Sequence, residues 1–375
     1  MVYLLLGLYI FNLNAVGPTV RYLHNEFNFS YTFTSFHVSA FALGKFVTAL
    51  FGNTYIRRMN QWKGMGIAAL GMGLGGIMLI LARHPLLSLG ALFIMGLIGT
   101  IIVNLYPVML VEEMGERSAI GINEANTLAA IFAASAPLLI GLFASTQLGW
   151  RFGLLIGAVF GAGLGIWLLM RAQPTKPTMM LATDAKIQSG RLSKQFWLIW
   201  GALACGLAVE FCIVSWVAEY LDKGLGFELH SATRWMVLFP VGIIAGRFIG
   251  SWLIKRMHIR KILTASLAIV LVGFGLFWSG ITPTLGLVGV FTLGLGVSNF
   301  YGSFLTLSLQ AAGTQKADAA ARDSLASAIS LLFLPLTLGA LADTTGMRSA
   351  YLVVPVLLVA IIGFLSQALR EPIPD

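Results

Sequence analysis

The chain has 375 residues, of which 58% are hydrophobic and 10% charged, with a mean hydropathy of +0.86. Soluble chains carry roughly a quarter charged residues, so this composition excludes a water-soluble surface and points to an integral membrane protein. At about 20 apolar residues per crossing, twelve crossings would use about 240 residues and leave short connections.

Apolar runs of that length lie at about 3–20, 32–55, 64–82, 86–110, 119–145, 151–170, 195–219, 232–254, 262–280, 284–311, 324–342 and 348–369, which predicts twelve helices. A membrane β-barrel would need alternating segments of about 10 residues, and these runs neither alternate nor stay that short. The first run begins at Val2 and the first positive charge is Arg21, the reverse of a signal peptide, so span one is retained. The lack of a cytoplasmic tail before it suggests a trimmed start. Cys205 and Cys212 share one apolar run and read as small buried hydrophobes without a disulfide framework.

The net charge of +9 is explained by its placement. With both termini cytoplasmic, 16 of the 24 Lys and Arg fall in inside connections and 6 outside, while Lys45 and Arg247 lie within spans. That is the positive-inside pattern, so the basic balance reflects topology and lipid attraction and excludes a nucleic-acid partner. The expected location is the cell's inner (plasma) membrane, crossed many times by a monomer.

One connection, 171–194, is longer than the rest and carries Pro174, Pro177 and several basic residues. It divides the chain into six-helix halves at 1–170 and 195–375. A repeat at an offset of 198 relates them. Gly52 in "FGNTYIRRM" matches Gly250 in "IGSWLIKRM", and Arg57 and Arg58 match Lys255 and Arg256. Pro137 and Gly141 match Pro335 and Gly339, and after a one-residue gap Gly149 and Arg151 match Gly346 and Arg348. Parallel halves of this kind are a transporter architecture.

These residues carry a family resemblance. Over essentially its whole length the chain resembles the major facilitator superfamily, whose signature between spans two and three reads roughly Gly-x-Leu-Ala-Asp-Arg-x-Gly-Arg-Lys. The copy here starts at Gly52 and includes Arg57; the copy between spans eight and nine starts at Gly250 with Lys255 in the Arg position. The resemblance implies an all-α fold of twelve membrane helices in two six-helix halves, and a gate formed by Gly52, Arg57, Arg58, Gly250, Lys255 and Arg256. Ile56 and Ile254 stand where the family has its Asp, so the gate is expected to be latched otherwise. "VEFCIVSWVAEYL" and "GLGVSNFYGSFLTLSLQ" are similar to spans seven and ten of fucose/proton symporter-like and sugar-permease-like members.

Ionisable groups at membrane depth cost several kcal/mol unless they face a bundle interior or a watery cavity, which makes them functional candidates. Glu210, about 15 residues into span seven, is the leading proton carrier, with a structural acid neutralised by a neighbour as the alternative. Glu124, grouped with Asn123 and Asn126 at the start of span five, reads equally as a proton or substrate group and as a first-turn acid favoured by the helix dipole. Arg247 in "AGRFIG" is a substrate contact or a structural tie. Lys45 balances an acid or snorkels to the interface. Asn12, Asn14, His37, Asn104, Asn299, Tyr301 and Gln310 are candidates for substrate hydrogen bonds, with interhelical bonding as the competing role. Trp216 either stacks on a sugar or aromatic substrate or belongs to an outer aromatic belt.

Gly153, Gly157, Gly161 and Gly165, like Gly242, Gly246 and Gly250, recur every four residues and present flat strips for close helix approach. "GMGLGG" around Gly71 lies inside an apolar span without a preceding strand, so it is no dinucleotide loop. The sequence shows no nucleotide, zinc or nucleophile motif, so neither an enzyme nor a cofactor or metal is expected. The expected function is secondary active transport by alternating access of a small polar solute, a sugar or organic anion, coupled to protons through Glu210. A proton-driven exporter of amphipathic compounds is the alternative, and the polar cluster weighs against it.

Overall fold

The computed structural model describes residues 1–56, 59–171, 192–254 and 256–370. All regular structure among them is helical, and twelve stretches are long and apolar enough to cross a membrane, as the apolar runs predict. The chain divides into two compact units. Unit 1 comprises Met1–Ala182 with Glu228–Val237, and unit 2 comprises Thr183–Phe227 with Leu238–Asp375.

Unit 1 contains α1 (Val2–Phe27), α2 (Tyr31–Ile56), α3 (Gln61–Leu81), α4 (Pro85–Met114), α5 (Ser118–Ala144), α6 (Trp150–Arg171) and the short α8 (Leu229–Trp235). Unit 2 contains α7 (Lys194–Lys223), α9 (Leu238–Ile254), α10 (Ile259–Ser279), α11 (Pro283–Val297), α12 (Phe300–Ala311), α13 (Lys316–Thr345), α14 (Met347–Ala350) and α15 (Val353–Ala368). Helix starts follow local chemistry. The side chains of Asn60, Ser193 and Thr282 accept from the backbone N–H groups of Lys63, Phe196 and Leu285, while Pro85 and Pro283 occupy first-turn positions where no N–H is needed.

Spans eight, ten and twelve read as single apolar runs but each is broken: α8 from α9 at Met236–Val237, α11 from α12 at Ser298–Asn299, and α14 from α15 at Tyr351–Leu352. Pro240 and Pro355 lack the N–H that the carbonyls of Met236 and Tyr351 would accept, which accounts for two of the breaks. At the third, the hydroxyl of Ser298 bonds the Leu295 carbonyl in competition with the backbone N–H of Asn299, while the Asn299 side chain reaches across to the Gly246 carbonyl of α9.

The repeat offset reappears in the packing. In unit 1 a Cβ on Gly44 would run into the carbonyl of Phe93 and the N–H of Leu97, and one on Gly96 into the carbonyl of Phe41. In unit 2 the counterparts are Gly242 against Phe291 and Leu295, and Gly294 against Phe239. The α2–α4 and α9–α11 contacts are therefore one reciprocal glycine joint made twice, 198 residues apart. Gly115 and Gly313, at φ 54° and 56°, each open a 3-10 turn ahead of α5 and α13. Gly149 and Gly346, at φ 73° and 79°, precede α6 and α14. Arg151 then donates to the Ile80 carbonyl at the end of α3 (3.0 Å), and Arg348 to the Ser279 carbonyl at the end of α10 (3.1 Å).

The glycine strips pack as their spacing predicts. Cβ atoms on Gly157, Gly161 and Gly165 of α6 would meet Phe11, Gly73 and Leu70, and one on Gly73 of "GMGLGG" would meet the α6 backbone at Ala158 and Ala162. On the outside of unit 2, α15 exposes Val356, Val359 and Ile362 while burying Leu358, Ile361 and Leu365. Such an apolar stripe suits lipid and not water.

Candidate functional site

In unit 1 the polar groups of α1 turn first to their own helix. Asn12 is buried and donates one amide hydrogen to the Leu8 carbonyl (2.8 Å), and Asn14 donates one to that of Ile10 (2.9 Å), so these two bonds stay within α1 and tie no second helix. Each retains its side-chain carbonyl as an acceptor. His37 of α2 is fully buried among Phe29 and Phe33 and shares a hydrogen bond with Ser88 of α4 (Nε2 to Oγ, 2.9 Å). Lys45 and Asn104 are half-buried on α2 and α4. Glu124 is exposed on α5 and accepts from the Tyr3 hydroxyl of α1 (2.8 Å), which ties α1 to α5 at that end of unit 1. The side chain of Asn123 lies outside the described residues.

In unit 2, Glu210 is half-buried near the middle of the 30-residue α7. Trp216, six residues further along, is buried, and its indole N–H donates to the Pro335 carbonyl of α13 (3.0 Å). It is thus a strut inside unit 2 and not a belt residue. Asn299 spans from the α11–α12 break to the Gly246 carbonyl (3.3 Å) and to Ser298 Oγ (3.1 Å). A Cβ on Gly250 would strike its side chain, so the second half of the gate motif begins under Asn299. Arg247, Tyr301 and Gln310 are exposed. Arg256 is exposed with its guanidinium 4.1 Å from the Trp252 ring. Arg57, Arg58 and Lys255, and the side chains of Ile56 and Ile254, lie outside the described residues, as does most of the 171–194 connection.

Two buried acids of unit 2 are absent from the sequence-derived candidates. Glu219 is buried near the end of α7, and Asp323 is fully buried on α13, where it accepts from the Ser308 hydroxyl of α12 (2.5 Å). The apolar run of span eleven begins at about Ser324, so Asp323 reads as connection. The helix starts at Lys316, however, and draws it inside. Among the described residues, no group of His, Cys, Asp and Glu is placed to hold a metal ion.

A family model of the Major Facilitator Superfamily matches residues 2–322, and the chain belongs to that superfamily. It is therefore a multi-pass membrane transporter and not an enzyme. Among solved structures, the nucleoside transporter NupG, in a point-mutant form, is similar with a TM-score of 0.77 at 13% identity, over 99% of this chain and 100% of that one. A bacterial homolog of the human lysosomal transporter Spinster gives 0.77 at 16%, over 98% and 96%. The E. coli fucose:proton symporter FucP gives 0.64 at 17%, over 98% of each. At these identities the likeness establishes the fold alone. A comparison with curated protein sequences found no match.

Proposed function

We propose that the chain is a proton-coupled secondary transporter of a small polar solute, a sugar, nucleoside or organic anion, working by alternating access. The observation that carries this reading is Glu210, a carboxyl half-buried at the middle of a membrane-spanning helix, where an ionised group persists only with a partner or a watery face. The hydrogen-bonding side chains of Asn12, Asn14, Asn104 and Asn299 support a polar solute over an amphipathic one. Neighbours named as a nucleoside transporter and as a fucose:proton symporter point the same way. In this reading a single chain acts as a monomer in the plasma membrane, with both termini and the 171–194 connection in the cytoplasm. The 16 to 6 distribution of basic residues supports that orientation.

Glu210→Gln tests the coupling, because Gln mimics the protonated acid in shape and hydrogen bonding. In proteoliposomes offered uridine, L-fucose and D-xylose, the variant should fold and exchange solute at equilibrium but fail to concentrate it against a gradient. Undiminished accumulation by Glu210→Gln would move the coupling site elsewhere, with Glu124 the next candidate.

A further inference from the structure

We propose that Asp323, held by Ser308 between α12 and α13, is a second proton-exchange site of unit 2, at the end of the unit where α7 and α13 begin. The inference rests on the proton-coupled reading and adds a residue to it. Asp323 is fully buried; one carboxyl oxygen accepts from Ser308 Oγ, and the other, Oδ1, has no hydrogen-bond partner. No Lys or Arg among the described residues forms an ion pair with it. A buried carboxylate with so little support requires a proton, a cation or a rearrangement to answer its charge. Among the described residues one carboxyl and one hydroxyl offer too few oxygens for a sodium-like ion, and of the remaining answers a proton is the one that needs no heavy atom to move.

The geometry suits both protonation states. Ser308 Oγ lies 2.5 Å from Asp323 Oδ2 and 2.9 Å from the Leu305 carbonyl, and it has a single hydrogen to give. With Asp323 ionised, that hydrogen goes to the carboxylate. With Asp323 protonated, the acid donates to Ser308 and Ser308 donates to Leu305. The proton thus arrives and leaves with two hydrogen bonds reversed and no heavy atom moved.

The surroundings are sparse in charge. α12 carries no acidic or basic side chain, its one titratable group being the exposed phenol of Tyr301, and the 3-10 turn Gly313–Gln315 carries none. From α7, Lys194 lies at this end; α13 itself brings Arg322, whose guanidinium sits 5.3 Å from the Trp197 ring, together with Lys316 and Asp318, whose side chains lie outside the described residues. α14 meets the opposite end of α13, where Arg348 and Asp343 lie. The helices α7 and α13 run side by side: Trp200 bonds the Arg322 carbonyl, Ser330 the Ala204 carbonyl and Trp216 the Pro335 carbonyl. Glu210 therefore lies about ten residues, or ~15 Å of helix, beyond the level of Asp323. Ser327 and Ser330 continue the Asp323 face of α13 towards that depth.

The test uses the full-length protein in liposomes and N,N′-dicyclohexylcarbodiimide, which adds the O–H of a protonated, apolar-embedded carboxyl across its C=N bond without a leaving group. Mass spectrometry of the Asp323 peptide should show labelling that titrates away as pH rises. Ser308→Ala should change labelling at a fixed pH by about tenfold, the worth of a hydrogen bond to a charged group. Absent or pH-independent labelling of the wild type overturns the proposal. In transport of uridine and L-fucose, Asp323→Asn should cut accumulation at least about tenfold while preserving exchange, and Asp323→Glu should restore part of it. If Glu210→Gln abolishes accumulation while Asp323→Asn leaves it and its pH profile intact, Asp323 is excluded and the coupling reading stands. Accumulation surviving in both variants excludes both carboxyls as coupling sites and leaves Glu124 as the candidate.

Discussion

Replacing glycine by alanine along the membrane helices should divide sharply by position. Within a helix the exchange gains up to about 1 kcal/mol from propensity. Where the new methyl must be accommodated in packed structure, overpacking costs about 1–3 kcal/mol. At Gly90, Gly163 and Gly275 a Cβ would meet nothing within 4 Å, so only the gain remains. At Gly44, Gly96, Gly242 and Gly294 it would meet backbone of the facing helix, which cannot swing aside as a side chain can, and the net change is a loss of up to about 2 kcal/mol. For units of this size 1 kcal/mol moves the melting temperature by roughly 2–4 °C. Tryptophan fluorescence of the purified chain, heated in one detergent, should record small rises for the first three variants and drops of several degrees for the other four. Gly44→Ala and Gly242→Ala should fall alike, because their surroundings are copies. A rise for either one, matching Gly163→Ala, would refute the reciprocal joint.

Three further outcomes are expected. Trp216→Phe removes the indole N–H from the buried Pro335 carbonyl and should destabilise the protein by about 1–3 kcal/mol in the same melting assay; an unchanged melt would show the bond to be idle. In a background lacking Cys205 and Cys212, a cysteine placed at Lys223 should react with an impermeant reagent applied to intact cells and one placed at Lys186 should not; reaction at Lys186 overturns the orientation. Ile56→Asp, which restores the acid of the gate signature, should shift the protein towards its outward-facing state. Spin-label distances between the ends of spans two and eleven on the linker side should shorten relative to wild type, and a pair already short in wild type would show that this side closes without the acid.

The twelve spans were legible because a bilayer imposes length and apolarity on every crossing, and the repeat because its markers are glycines, prolines and arginines with fixed backbone duties. Gly149 with Arg151 and Gly346 with Arg348 could be matched by eye, and both pairs turn out to close a helix end in the same way. The breaks in spans eight and twelve were readable in principle from Pro240 and Pro355, whereas that at Ser298–Asn299 depends on side chains competing for carbonyls, which no hydropathy profile registers. Asp323 was missed because hydropathy marks where the apolar run begins, while the helix begins two turns earlier. The bonds of Asn12 and Asn14 to their own helix were not readable either, since a rotamer decides between the preceding turn and a neighbouring helix. Trp216 shows the same limit: its spacing allowed an outward or an inward ring, and only the facing Pro335 carbonyl decides.

The two copies of the glycine joint also say where an ancient duplication is free to drift. Where side chain meets side chain, a change in one partner can be absorbed by a change in the other, and the halves have diverged almost beyond recognition. Where glycine meets the opposite backbone, no second substitution can make room for a Cβ, because the obstructing atoms belong to every residue type. Gly44 and Gly96, like Gly242 and Gly294, are locked against each other by atoms that mutation cannot remove. At these four positions the self-similarity of the chain is thus a mark of backbone contact, and a distant homologue that had lost one glycine of a pair would be expected to have spread those two helices apart.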